Sequence, residues 1–459
     1  MRSLSLVLAM ICVTWCGAQT PAHADETEGL RVATFDIDAT PPVGSALAYD
    51  PMVRSWDLGL RARGIVLLGA GAPMVLCAID WIGVANESHD AFRQALAEAA
   101  ATTPDRVAVH ALHQHDAPGS DFSAERLLQE HNIPSRRYEG GFARELLRRL
   151  QDAVRDALGN TQPVTHVGVG EAQVYEVASN RRIYGPDGKV RAVRYTTCAD
   201  VALRAEPEGV IDPMVSLVSL WNGDAPLVVL SYYATHPQSY YRTGVANPDF
   251  PGVARFLRQL AVPDALHVHF TGAGGNIGAG KYNDGAHENR LALAGRLADG
   301  MRRAWENTRR TPLAAEDVAW RVAPVALPPA AHLSEEALEA ALRDKDAPEQ
   351  FHGAAARLAW LRRCKAGHRI DVACLALGPA RILHCPGELF VEYQLAAKAA
   401  RPDCFVAMAA YGDYGTAYIG TARAYEEGGY ETSERVSNVA PEAEEVLMAA
   451  IRELLQDRD

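Results

Sequence analysis

Four separated segments of this 459-residue chain share one design: an apolar, strand-like run that ends in a side chain able to bind a metal. The first is Val107-Ala108-Val109-His110-Ala111-Leu112, which leads directly into His113-Gln114-His115-Asp116. The second is Leu227-Val228-Val229-Leu230, continuing through Ser231-Tyr232-Tyr233-Ala234-Thr235 to His236. The third covers residues 382–388 and ends at Glu388, and a tyrosine-rich stretch around Tyr418 is the fourth. A buried sheet delivers polar groups to one rim in this way, and α/β proteins place their chemistry on that rim. The pattern points to an α/β chain built around a metal rather than to a structural module.

At 48% hydrophobic residues the chain can bury a large core. Its net charge of −12 argues against a nucleic-acid partner, because phosphate binding needs clustered Lys and Arg and no basic stripe occurs. Residues 1–24 have the composition of a secretory signal peptide. Arg2 gives the positive start, residues 6–13 the apolar stretch, and Ala22-His23-Ala24 the cleavage motif. The stretch is too short to span a bilayer, and no later segment reads as a transmembrane anchor. The expectation is a secreted or periplasmic protein cleaved before Asp25. Cys16 raises a lipoprotein alternative, against which the bulky Trp15 argues. Six cysteines follow the signal, none in a C-x-x-C pair, so a thiolate zinc site is not expected. Export would permit a disulfide; Cys77 and Cys385 sit in apolar runs and read as buried small hydrophobes.

Strand-like and helix-like segments alternate from about residue 31 to the end. Residues 60–68 and 73–80 read as neighbouring strands around the turn Gly69-Ala70-Gly71. Helices are expected over 88–101, 142–158, 285–308 and 441–456; in the second, Phe142, Leu146, Leu147, Leu150, Val154 and Leu158 recur at helical spacing. Residues 314–352 carry Pro328-Pro329 and the charged run Asp344-Lys345-Asp346, and read as a surface insertion in which Ser334 caps a short helix. No repeat is visible. The fold class predicted is α/β, a mixed β-sheet core with surrounding helices, in one domain over residues 25–459.

Each candidate residue also has a bland role. In an extended backbone His113 and His115 face one side and can approach one centre, whereas His110 reads as a packing or hydrogen-bonding residue. His236 ends its run before Pro237, where a hydrogen-bonded strand-end histidine is the plain alternative. His267 and His269 alternate before Gly272-Ala273-Gly274-Gly275, a loop whose N–H groups could approach a substrate. Its spacing is not that of a P-loop. Glu388 follows Pro386-Gly387 at a corner where carboxylates are commonly solvated, and Tyr414, Tyr418, Tyr425 and Tyr430 would by default stack or hydrogen-bond.

Taken in order, the segments resemble the catalytic domain of the neutral/alkaline (non-lysosomal) ceramidases. Residues 35–42 (FDIDATPP) look like that family's opening strand and turn, and residues 113–119 (HQHDAPG) its H-T-H-S-G-P-G segment. Asn180-Arg181 resembles its N-R, residues 233–237 (YATHP) its F-A-V-H-P, and Pro386-Gly387-Glu388 its P-G-E. Tyr418 and Tyr430 keep the spacing of its two active-site tyrosines. The resemblance implies a Zn2+ site of His113, His236, Glu388 and Tyr418, with His115, Arg181 and Tyr430 around the scissile carbonyl. The family's G-D-V-S-P loop corresponds to Gly275-Asn276-Ile277-Gly278-Ala279, so its serine is absent here. The chain also ends after the helix at 441–456, where ceramidases continue into an immunoglobulin-like domain. The implied activity is that of a zinc hydrolase cleaving an amide of a small-molecule or lipid-like N-acyl substrate, by water whose pKa the metal lowers toward ~7. A metal-dependent esterase or lactonase, or a non-catalytic zinc or ligand-binding protein, would share the same residues.

Overall fold

The computed structural model describes residues 29–56 and 58–456; the expected leader and Cys16 lie outside these residues. The apolar runs form three main sheets, and each is assembled in the same order along the chain. In the first, Arg31–Asp38 pairs antiparallel with Arg61–Leu68, which pairs antiparallel with Met74–Ile79. The chain then crosses over through the helix Asn86–Ala99 and returns as Val107–Ala111, parallel to Met74–Ile79. In the second, His166–Gln173, Met214–Asn222 and Ala225–Tyr233 run antiparallel, and Asp249–Ala261 leads to the parallel strand Leu266–Thr271. In the third, Val318–Val325, Ile370–Leu377 and Ala380–His384 are followed by the helix Val391–Ala400 and the parallel strand Phe405–Ala409. A further helix closes each unit: Gly141–Leu158, Glu288–Glu306 and Ala443–Leu455. The repeat absent from the sequence is therefore present as topology.

Alternation along the strands explains the layering. Leu76 and Ala108 of the first sheet, Val218, Leu230 and Phe270 of the second, and Leu375, Ile382 and Ala407 of the third face one shared central core. The opposite faces, with Val75 and Val109, Val215 and Val229, and Leu383 and Val406, lie under the helices of their own units. A fully buried aliphatic of this kind contributes roughly 1.5–3 kcal/mol. The mixed sheet core with surrounding helices is thus as the sequence predicts. The turn between Leu68 and Met74 takes Gly69 and Gly71 at φ +90 and +80, a region that L side chains rarely adopt. Ser334 caps the helix Glu335–Arg343 by accepting from Ala337 N, in the connection after Val325; Val318–Val325, also within 314–352, is a strand of the third sheet. The six described cysteines are all free, and Cys77 and Cys385 are packed in the cores under the helices. Among the described residues no helix is long and apolar enough to cross a membrane.

Because strands one, three and four of each unit run the same way, their C-terminal ends all lie at one end of the assembly. The three fourth strands are tied together there. Ala111 N donates to Tyr411 O at 3.0 Å, Ala410 N to Thr271 O at 2.9 Å, and Thr271 Oγ1 to Leu112 O at 3.0 Å. A buried bidentate pair joins two units nearby: Arg255 Nη1 and Nη2 meet Asp80 Oδ1 and Oδ2 at 2.7 and 2.6 Å. Arg255→Leu strands the Asp80 carboxylate and is expected to cost ~3–5 kcal/mol of unfolding free energy by denaturant titration. Adding Asp80→Asn, which keeps an acceptor for Arg61 N, should recover much of it; a double variant no better than the single one shows that the charge was not the cause.

Candidate metal centre

The shared end of the sheets carries the four sequence-predicted ligands. Val107–Ala111 leads to His113, Ala225–Tyr233 to His236 and Ala380–His384 to Glu388. The short strand Glu388–Leu389 pairs parallel with Tyr418–Ile419, placing Glu388 opposite Tyr418. His236 Nε2 lies 3.2 Å from Glu388 Oε2 and 3.2 Å from Tyr418 Oη, and His113 Nε2 lies 3.4 Å from the same Glu388 oxygen. All four residues are buried. His115 joins them, its Nε2 3.3 Å from His113 Nε2 and its Nδ1 3.3 Å from Tyr49 Oη. His113, His115 and His236 can present ligand atoms within 4.8 Å of one another.

Hydrogen bonds on the far side of each ring fix what faces the centre. His113 Nδ1 is 2.7 Å from Ile82 O and His236 Nδ1 is 2.9 Å from Gly274 O. A carbonyl only accepts, so both Nδ1 atoms carry the proton and both Nε2 atoms turn a lone pair inward. Glu388 Oε2 has no hydrogen-bond partner, while its Oε1 accepts from Tyr414 Oη at 2.6 Å. Burial outweighs the attraction of Glu388 and lowers His113 to about 4. Burial, followed by the neighbouring His113 and His236, holds His115 well below its ordinary value. Burial acts to raise Glu388, but His113, His236 and Tyr414 together bring it down to about 2. Near neutral pH, the inward lone pair of His113 thus faces an ionised carboxylate oxygen, with His236 Nε2 beside the same oxygen. Nitrogen and oxygen donors held in this way fit a divalent cation such as zinc, with the carbonyls as the outer supports such ligands use.

Arg181 and Tyr430 border the same point. Arg181 Nη1 is 3.1 Å from Tyr418 Oη and its Nε is 3.2 Å from Glu431, a buried pair. The Tyr430 ring lies 5.9 Å from that of Tyr418. A cavity of about 610 Å³ opens on these groups. The connections between first and second strands of the three units supply part of its wall, through Tyr49, then Arg181, Tyr195 and Thr196, then Arg357.

Two local expectations change. His113 does not reach the centre by strand alternation: the strand ends at Ala111, and His113 takes φ 68, a left-handed conformation costly for a non-glycine residue. Tyr411 (φ 60) and Ala417 (φ 53), beside the same site, share this strain. The glycine loop does not offer its N–H groups outward. Gly272 N and Gly275 N donate to Tyr233 O and Leu389 O, and a Cβ on Gly275 would fall 2.3 Å from Glu388 O, so these glycines permit chain segments to touch. His269 faces away and meets Ser231 Oγ at 2.9 Å, while His110 bonds Ala410 O and His384. Tyr49, Tyr414 and the carbonyls of Ile82 and Gly274 were not legible as site groups, because no motif marks a residue whose role is to hold a ligand. At Gly278 a Cβ would approach Thr196 Oγ1 to 2.9 Å.

Fold and polar cluster together define a mixed α/β chain with a candidate metal centre where its sheets converge. Among solved structures it is similar to the crystal structure of neutral ceramidase from Pseudomonas aeruginosa, with a TM-score of 0.64 and 15% identity, covering 93% of this chain and 74% of that one. It is similar also to a ceramidase complexed with C2, with a TM-score of 0.63, 14% identity, and 93% and 75% of the two chains covered. No family model and no curated protein matches the sequence. The chain has a neutral-ceramidase-like fold, as the sequence resemblance implies.

Tyr414→Phe removes the bond to Glu388 Oε1. Affinity for an added divalent metal ion, measured by chelator competition, should fall ~10–100-fold with the fold retained. An unchanged affinity would reduce Tyr414 to a packing residue.

Proposed function

We propose that this protein is an exported zinc-dependent hydrolase that cleaves the amide bond of an N-acyl substrate, with residues 25–459 as one catalytic domain. The observation that carries the reading is the meeting of His113 Nε2, His236 Nε2, Glu388 Oε2 and Tyr418 Oη beside a cavity bordered by Arg181 and Tyr430. The likeness to ceramidase structures supports it at the level of fold. His113, His236, Glu388 and Tyr418 are assigned as ligands.

A bound zinc ion supplies Lewis-acid polarisation and lowers the pKa of a water molecule. Arg181 and Tyr430 hold the substrate carbonyl and stabilise the negative charge that develops on its oxygen. Arg181 is suited to this because it stays charged: burial opposes its protonated form, but Tyr418, Glu431 and Glu388 together raise its pKa. His115, neutral and bonded to Tyr49, carries the proton. Water oxygen bonds to the acyl carbon, the C–N bond breaks, and the proton passes through His115 to the departing amine. Gly278 has no hydroxyl, and this route needs none there.

Purified protein should contain about one zinc per chain by elemental analysis. His236→Ala should lose both zinc and activity while keeping its circular dichroism spectrum; retained zinc would leave His236 as a strand-end histidine. With an N-acyl amide as substrate, His115→Gln should lower kcat by ~10²–10⁴. Mass spectrometry should detect no acyl-enzyme during turnover. A trapped acyl group on any side chain, Thr196 included, would replace water attack by a covalent route.

A further inference from the structure

Four arginines line the cavity: Arg137, Arg181, Arg357 and Arg435. This wall runs against the charge of the whole chain, which is −12 at pH 7. The acidic residues lining the cavity, Asp121 and Glu388, do not offset it. Asp121 accepts from Asn86 Nδ2 at 2.7 Å and Ala124 N at 3.0 Å, and burial raises its pKa to about 7. Glu388 is taken up by the histidines and Tyr414.

Arg181 has Glu431 as its partner. Arg137, Arg357 and Arg435 form no ion pair with a carboxylate among the described residues. Arg137 Nε is buried without a hydrogen-bond partner, and its guanidinium carbon stands 5.6 Å from the Tyr138 ring. Arg357 donates to the backbone oxygen of Arg435. Burying Arg137 Nε without a partner is costly, whereas Arg357 is half-buried and Arg435 exposed; the planar fork of each guanidinium matches the two oxygens of a carboxylate or phosphate-type group. Arg137, Arg357 and Arg435 line the same cavity as Tyr49, His115 and Tyr430, so an anion held by them would share that cavity with the reacting groups.

We propose that this wall receives an oxyanion of the substrate, so that the compound cleaved is an N-acyl derivative of an anionic amine rather than a neutral amide such as ceramide. The inference rests on the hydrolase reading above, but it concerns binding and can be tested apart from turnover. A local positive field in an acidic protein also concentrates anionic ligands at the cavity mouth.

The test uses chelator-treated, metal-free protein and three ligands of equal acyl chain: N-octanoylglycine, N-octanoylaminomethylphosphonate and N-octanoylethanolamine. Isothermal titration calorimetry should show at least one anionic ligand binding about tenfold or more tighter than the neutral one. The gap should narrow at high salt, fall toward parity in Arg137→Gln and in Arg357→Gln, and be partly kept in Arg137→Lys. A preference for only one of the two anions identifies the group the wall is shaped for. Equal or tighter binding of the ethanolamide, failure of all three to bind, or a gap unchanged in both Gln variants overturns the proposal. Assayed separately with zinc present, a failure to hydrolyse any of the three beside an intact binding gap would sink the hydrolase reading and leave the anion site standing.

Discussion

Three parallel strands from three different sheets end against one another, and the rest of the site hangs from that junction. The bonds between Ala111, Thr271, Leu112, Ala410 and Tyr411 fix the distance between units at one point. Residues a few positions further along therefore have little freedom. His113 lies two residues past its junction strand, while His236 and Glu388 lie three and four residues past the strands that pair in parallel with the other two. The shared central core below the junction makes this rigid, because a displacement of one sheet would open space between closely packed side chains. The close contacts at Gly274 and Gly275 follow from the same crowding: the backbones of Thr235 and Glu388 leave no room there for a side chain.

Such a junction gathers groups that repel or ignore one another in the absence of a ligand. Two inward imidazole lone pairs and a carboxylate oxygen occupy one buried spot, and non-glycine residues beside them hold left-handed backbone conformations. Both features cost folding energy, each of order 1–3 kcal/mol. The hydrophobic cores under three sets of helices supply the opposing stability, and the Arg255–Asp80 pair ties two units together close by. The arrangement is what a binding centre requires: donors positioned before the ligand arrives, with their outward faces already occupied by Ile82 O, Gly274 O and Tyr414 Oη.

Strand and helix positions were legible because each depends on local periodicity. The hairpin Arg61–Leu68 with Met74–Ile79 and the helix Gly141–Leu158 fall within a residue or two of their sequence-based limits. His113, His236 and Glu388 were reached through short motifs in a known order, and Tyr418 through its spacing from Tyr430, in each case by resemblance. Their meeting joins residues up to 305 positions apart (418 − 113), which no local pattern specifies. The same limit hid the threefold repetition: each unit uses different side chains to meet one packing requirement, so topology repeats while sequence does not.

By itself the sequence determined that this chain is a mixed α/β protein and which of its residue types could bind a metal. These follow from composition, periodicity and order, which are written along one dimension. Only the tertiary structure decided that His113 turns through a left-handed conformation, that Tyr414 and two carbonyls support the ligand-type residues, and that Arg137, Arg357 and Arg435 line the cavity without acidic partners among the described residues. Hydrogen bonding, burial and charge compensation are set by neighbours in space, and packing three sheets about one core brings those neighbours from all along the chain.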